Sequence, residues 1–110
     1  MASKRFDSGG ARHALEALGD ANRRAIVEIL SSGALPVREI ADRLPISRPA
    51  VSRHLRLLKE AGLVGDHPDG TRRVYELRAE GVEAIRQYFR EVWGDAITRF
   101  RLAVENTEER

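Results

Sequence analysis

The chain has 110 residues, of which 42% are apolar and 33% charged, and its formal net charge is +2. That length suits one domain with a small core, and no run approaches the ~20 apolar residues of a spanning helix, so no membrane partner is expected. The absence of Cys excludes a disulfide framework and a thiolate metal site, and the opening MASKRFDSGGAR has no apolar run after its charges, so the chain reads as cytoplasmic.

The charge is unevenly placed. Lys4 and Lys59 are the only lysines among the 19 basic residues, and the rest are Arg, whose fork suits phosphate and guanine. Between Ser47 and Arg73 basic residues outnumber acidic ones, and between Ala79 and Arg110 the balance is reversed. A basic middle and an acidic tail fit nucleic acid at one surface and a protein contact at another.

Residues 1–9 carry Ser and Gly without periodicity and read as a mobile arm; the folded domain is expected over 10–105, with a polar tail at 106–110. Ala11, Ala14, Leu15 and Leu18 follow the i, i+3, i+4, i+7 spacing of a short amphipathic helix, which Gly19 ends. Asp20 is placed to cap a second helix with Ala25, Ile26, Ile29 and Leu30 as its stripe. Arg23 and Arg24 sit in its first turn, the unfavourable end for the helix dipole, which raises a phosphate contact against plain exposure. Gly33 ends that helix. Val37, Ile40, Ala41 and Leu44 form a short third helix, closed by Pro45.

Only Pro45 and Ile46 then separate Leu44 from Ser47, the spacing of a helix-turn-helix. In the fourth helix Val51, Leu55 and Leu58 face a core, Pro49, Arg53 and Arg56 lie nearly opposite, and Ser52 and Lys59 sit on the shoulder. Ser47 is a favoured cap and must bond the amide of Ala50, since Pro49 has none. Four basic residues and no acidic one occupy positions 47–59. A helix with one buried face and an outer face of guanidinium groups is what a DNA major groove accepts; the alternative is an ordinary solvated face. His54, at the edge of this helix, is expected to orient a neighbour or touch phosphate.

After Ala61-Gly62 the runs LVGDH and RRVYEL flank Pro68-Asp69-Gly70-Thr71, a hairpin signal. Tyr75 and Leu77 share a face toward the core, and Arg72 and Arg73 make the hairpin a basic wing. Ala79 to about Glu105 is a long helix in which Val82, Ile85, Phe89, Val92, Ala96 and Phe100 recur at spacings of three and four, widened by Trp93, Ile97 and Val104. So small a domain has little core left for Phe89, Trp93, Ile97 and Phe100, so a second copy is expected to cover them.

No Ser/His/Asp arrangement or Gly-rich phosphate loop is present, so an enzyme is not expected. His13, His54 and His67 lie on separate elements without ligand spacing, so neither a metal nor another cofactor is expected. Two functions remain: a dimer that binds double-stranded DNA at an inverted repeat, and a protein-interaction module on which the basic face is incidental.

The segments LGDANRRAIVEIL (18–30), VREIADRLPISRPAVSRHLRLLKEAGLV (37–64) and DGTRRVYEL (69–77) resemble the ArsR-type family of winged helix-turn-helix repressors. The resemblance implies a mainly α fold with a small β-hairpin, five helices with the hairpin between the fourth and fifth, and a homodimer through the first and last helices. By position it implies DNA contacts from Ser47, Arg48, Pro49, Ser52, Arg53, His54 and Arg56 and, on the wing, from Gly70, Thr71, Arg72 and Arg73. It places the dimer surface on Ala14, Leu15, Leu18, Phe89, Val92, Trp93, Ala96, Ile97 and Phe100. Many members release DNA on binding a metal or other inducer. Here Pro36 and Arg38 stand where thiolate sensors carry Cys, and residues 79–110 hold no His. The resemblance therefore supports the repressor and not metal sensing, and leaves a small-molecule inducer open.

Overall fold

In the computed structural model, which describes residues 9–108, the packing centres on helix α4, Arg48–Glu60. Local chemistry sets both of its ends. The Ser47 hydroxyl accepts from the Ala50 N–H at 3.2 Å, because Pro49 has no N–H to offer. At the far end the amides of Gly62 and Leu63 donate to the carbonyls of Lys59 and Leu58 at 3.0 Å, the bond pair of a Schellman stop, with Gly62 at φ 81°. Between these ends Val51, Leu55 and Leu58 are buried on one face.

The other elements are α1 (Gly9–Ala17), α2 (Ala21–Leu30), β1 (Leu35–Pro36), α3 (Val37–Ala41), β2 (Val64–Asp69), β3 (Arg72–Leu77) and α5 (Ala79–Glu108). Asp20 caps α2 by accepting from the Arg23 N–H at 3.0 Å. The α4 stripe meets Ile26 and Leu30 of α2, Ile40 of α3, and Leu63 and Val64 at the entry to the sheet. Tyr75 and Leu77 pack half-buried on this cluster. The result is mainly helical with a small antiparallel sheet, as expected.

The elements differ from the sequence reading in five places. The hairpin has a third strand: β1 pairs with β3, Leu35 opposite Tyr75 and Pro36 opposite Val74, giving the order β1-β3-β2. Two residues are too short to carry a period, so the strand is invisible before its partner is known. Helix α3 stops at Ala41 rather than Leu44. The amides of Arg43 and Leu44 bond three residues back, to Ile40 and Ala41, a tightening that fits a Pro at 45, which disfavours helical geometry at the residue before it. Leu44 still packs against the core. The strand β2 runs through Pro68 to Asp69, so the turn is Gly70-Thr71 alone; Pro68 is tolerated because β2 is an edge strand. Helix α5 continues to Glu108 and takes in positions expected to be tail. Gly9 belongs to α1, and the rest of the expected arm lies outside the described residues, as do 109 and 110.

The start of α5 is seated on the stop of α4. The Arg78 N–H donates to the Leu63 carbonyl at 2.9 Å, and Gly81 is buried. A Cβ at Gly81 would overlap the Gly62 carbonyl and come within 3.1 Å of the Leu63 Cα. A glycine-to-alanine change inside an open helix usually gains up to about 1 kcal/mol. Gly81→Ala is expected to do the opposite, lowering stability by about 2 kcal/mol through overpacking against backbone that cannot give. Urea unfolding followed by circular dichroism reads the sign, and an unchanged midpoint would mean that α5 does not start against Gly62.

Candidate nucleic-acid interface

Burial of the Val51, Leu55 and Leu58 face turns the opposite face of α4 outward. Ser47, Arg48, Pro49, Ser52, Arg53, Arg56 and Lys59 are all exposed. The wing stands beside them, with Gly70, Thr71, Arg72 and Arg73 exposed at its tip. A cleft between the two is lined by Arg38 and Glu39 of α3, Arg48 of α4, and Thr71, Arg72 and Arg73 of the wing. The fold thus brings helix and wing cations to one surface. It adds Arg38, which sequence reasoning missed because nothing local says that α3 faces the wing; that follows from the β1–β3 pairing.

Arg73 of the wing and Lys59 of α4 are held by one carboxylate. Arg73 Nε donates to Asp66 Oδ2 at 2.8 Å, and Lys59 Nζ lies 2.7 Å from Asp66 Oδ1. Arg72 lies 3.6 Å from both Glu39 and Asp69, exposed pairs of the kind that contribute little. The bonds from Lys59, then from Arg73, hold the Asp66 carboxyl below its ordinary value of 3.8. The Arg23 amide is the main cause of a similar lowering at Asp20.

His54 departs from the expected reading surface. Its side chain is only 17% exposed; Nδ1 lies 3.3 Å from an Arg23 guanidinium nitrogen and 4.0 Å from Asp20. It packs α4 against the start of α2, which is the neighbour-orienting role of the two expected for it. The first-turn arginines of α2 have partners of their own. Arg23 Nε donates to the Ala17 carbonyl and an Arg24 guanidinium nitrogen to the Leu18 carbonyl, both at 2.7 Å. These are carbonyls at the end of α1, where a cation is favourable. The placement raised as a phosphate contact is thus a cap on the preceding helix.

On the last helix, Val82, Phe89, Trp93, Ile97, Phe100 and Val104 of α5 fall within about 80° of arc at 100° per residue, and all are exposed, Trp93 at 51% and Phe100 at 71%. Val92 and Ala96 flank them half-buried, and Leu15 and Leu18 of α1, a helix that packs on α5, are half-buried too. Ala14, expected on this surface, is instead fully buried in the core; a Cβ that small reaches no further than the helix it packs on. Among the described residues no cluster of three or more His, Asp or Glu could hold a metal, and no helix is long and apolar enough to cross a membrane.

A family model described as the bacterial regulatory protein, arsR family, matches residues 20–65, which hold α2, α3 and α4. The HTH-type transcriptional regulator Rv2034 of Mycobacterium tuberculosis is 50% identical over 93 residues, 84% of this chain and 87% of the relative. The transcriptional repressor SdpR of Bacillus subtilis is 37% identical over 62 residues, 56% of this chain and 69% of the relative. Among solved structures, the homodimeric winged helix-turn-helix DNA-binding domain of Mb0332 from Mycobacterium bovis, described as a possible ArsR-family regulator, superposes with a TM-score of 0.63. It is 26% identical, and the match covers 92% of this chain and 84% of that one.

Asp66 and Asp20 make stability pH-dependent in a known direction. A carboxyl whose native pKa lies below its unfolded value binds protons more readily when unfolded, so its contribution is full above the unfolded value and is lost as pH falls through the native one. Stability is therefore expected to hold at neutral pH and to decline as pH drops through 3.8 and below. Urea unfolding across the acid range checks this, and Asp66→Asn should show a shallower acid decline than the native chain. Parallel declines would mean that the Asp66 bonds add nothing to folding.

Proposed function

The chain belongs to the ArsR family of bacterial regulatory proteins and is a DNA-binding transcriptional regulator, and we propose that it acts as a homodimeric repressor that occludes a promoter at an inverted-repeat operator. The observation that carries this reading is the outer face of α4, where Arg48, Ser52, Arg53 and Arg56 stand exposed on a helix anchored by its other face. Helix α4 enters the major groove, with Arg53 and Arg56 reaching base edges or phosphates and Ser47, Arg48, Pro49 and Ser52 close to the groove wall. The wing residues Gly70, Thr71, Arg72 and Arg73, with Arg38 beneath them, contact the adjoining backbone. His54 acts at one remove, holding α4 in place.

Support for the second copy comes from the row of exposed apolar side chains along one face of α5, and from the homodimeric state of the Mycobacterium bovis domain. Phe89, Val92, Trp93, Ala96, Ile97 and Phe100, with Leu15 and Leu18, form the dimer surface. Two-fold symmetry then sets two α4 helices about one turn of DNA apart, roughly 34 Å or a multiple of it.

Fluorescence anisotropy on duplex DNA from just upstream of the gene, against a scrambled duplex at several salt concentrations, tests the reading. A preference of ~10³ or more is expected, with a steep salt dependence from roughly six to eight neutralised phosphates. No binding even at low salt would sink it. Arg53→Ala should cost ~1–3 kcal/mol of affinity with folding intact; unchanged affinity would mean that α4 docks in another orientation. Trp93→Ala should weaken dimerisation by about 2 kcal/mol and DNA binding only as a consequence. Sedimentation equilibrium checks this, and a variant still dimeric with native affinity would move the interface elsewhere.

A further inference from the structure

Asp66 is a carboxylate on a surface assigned to a polyanion, and simple electrostatics would have it oppose DNA. Its placement argues for a different role. It lies on β2 opposite Tyr75 of β3, its side chain is only 8% exposed, and each carboxylate oxygen is taken. One oxygen meets Lys59, in the last turn of α4, at 2.7 Å; the other meets Nε of Arg73, on β3, at 2.8 Å. One carboxylate thus ties the end of the reading helix to both long strands of the wing. Lys59 and Arg73 themselves stay 54% and 57% exposed. An ammonium has three donors and a guanidinium five, so both keep N–H groups free for phosphate after bonding Asp66. The Glu39–Arg72 contact on the same surface is 3.6 Å long and exposed on both sides, a geometry too loose to fix anything.

We infer that Asp66 is a positioning residue for DNA recognition: by joining α4 to the wing it sets their relative angle, so that the chain's base selectivity depends on a group that itself repels DNA. The inference rests on the DNA-binding reading above. It makes a prediction of unusual sign. Asp66→Asn adds one unit of positive charge to the DNA face, so its affinity for any duplex at low salt should be equal or higher. Its selectivity should fall, because α4 and the wing no longer hold one register on the groove.

The test uses the full chain and two probes: a duplex enriched by the native protein from a random-sequence pool, and a scrambled duplex of the same composition. The quantity read is the ratio of the two affinities. For Asp66→Asn the ratio should drop about tenfold, the equivalent of one lost base-pair discrimination, while binding to the scrambled duplex is maintained or tightened. Glu60→Gln, which removes the same charge from the last turn of α4 and leaves Asp66 and its two partners untouched, should keep the native ratio. Mere destabilisation would lower the active fraction on both probes alike and leave the ratio unmoved. If Asp66→Asn does not fold, Lys59→Gln opens the same clamp from the helix side and should lower the ratio in the same way. A native ratio in the folded variant, or in Lys59→Gln where that variant carries the test, overturns the inference while the DNA-binding reading stands. A native chain that enriches no duplex overturns both.

Discussion

The interaction on which everything else depends is the burial of three side chains, Val51, Leu55 and Leu58, on one face of α4. Positions 51, 55 and 58 fix the rotation of the helix about its own axis, because each must leave water and the surrounding core is packed too closely for them to share the space differently. Once that rotation is set, the directions of Arg53 and Arg56 are no longer free. The outward face of α4, proposed to read DNA, is therefore specified by apolar residues buried on the opposite face. Its extent along the axis is specified by the Ser47 cap and the Gly62 stop, which hold α4 to 13 residues. The same stop seats Gly81, so the start of α5 is located by the end of α4.

A second constraint is electrostatic. A net charge of +2 is small for a protein that binds a polyanion, yet the exposed face of α4 and the tip of the wing carry almost no uncompensated carboxylate. Asp66 and Glu39 are bonded or close to cations of that same surface, and other acidic residues lie along α5, where Glu83 pairs with Arg86 and Arg90. Segregation rather than total charge produces the attractive field. A short bond to a largely buried carboxylate also orders a lysine and an arginine that would otherwise lose rotamer entropy on meeting phosphate.

The parts of this architecture legible in the sequence were those decided by neighbours in the chain. The α4 stripe, the Ser47 and Asp20 caps, and the hairpin all follow from spacing and residue type over a few positions. What escaped was decided by contacts distant in sequence. Leu35-Pro36 becomes a strand because Tyr75 and Val74 lie beside it, and no two-residue window announces that. Arg23 and Arg24 read as cations at the wrong end of α2 because the C-terminal carbonyls of α1, which they cap, return there through a tight turn. His54 could be placed at the edge of the stripe by arithmetic, but its partners Asp20 and Arg23 come from an element more than 30 residues earlier. Ala14 obeyed the helical period, and what the period could not supply was depth, since α1 is covered on more than one side.

Helix α1 shows why these distant contacts bear on function. It packs on both α4 and α5, the elements assigned to reading DNA and to pairing with a second copy. Its final carbonyls are held by Arg23 and Arg24, and Arg23 extends the same guanidinium to His54 on α4. The separation between the proposed dimer face and the proposed reading face is thus spanned by a short helix whose buried side is Ala11, Ala14 and Ala17. Alanines permit close approach and leave no long side chain to rearrange, so α1 acts as a rigid spacer rather than a cushion. In a dimer formed through α5, the distance between the two α4 helices is then set by backbone packing. An operator of fixed half-site spacing demands that kind of control.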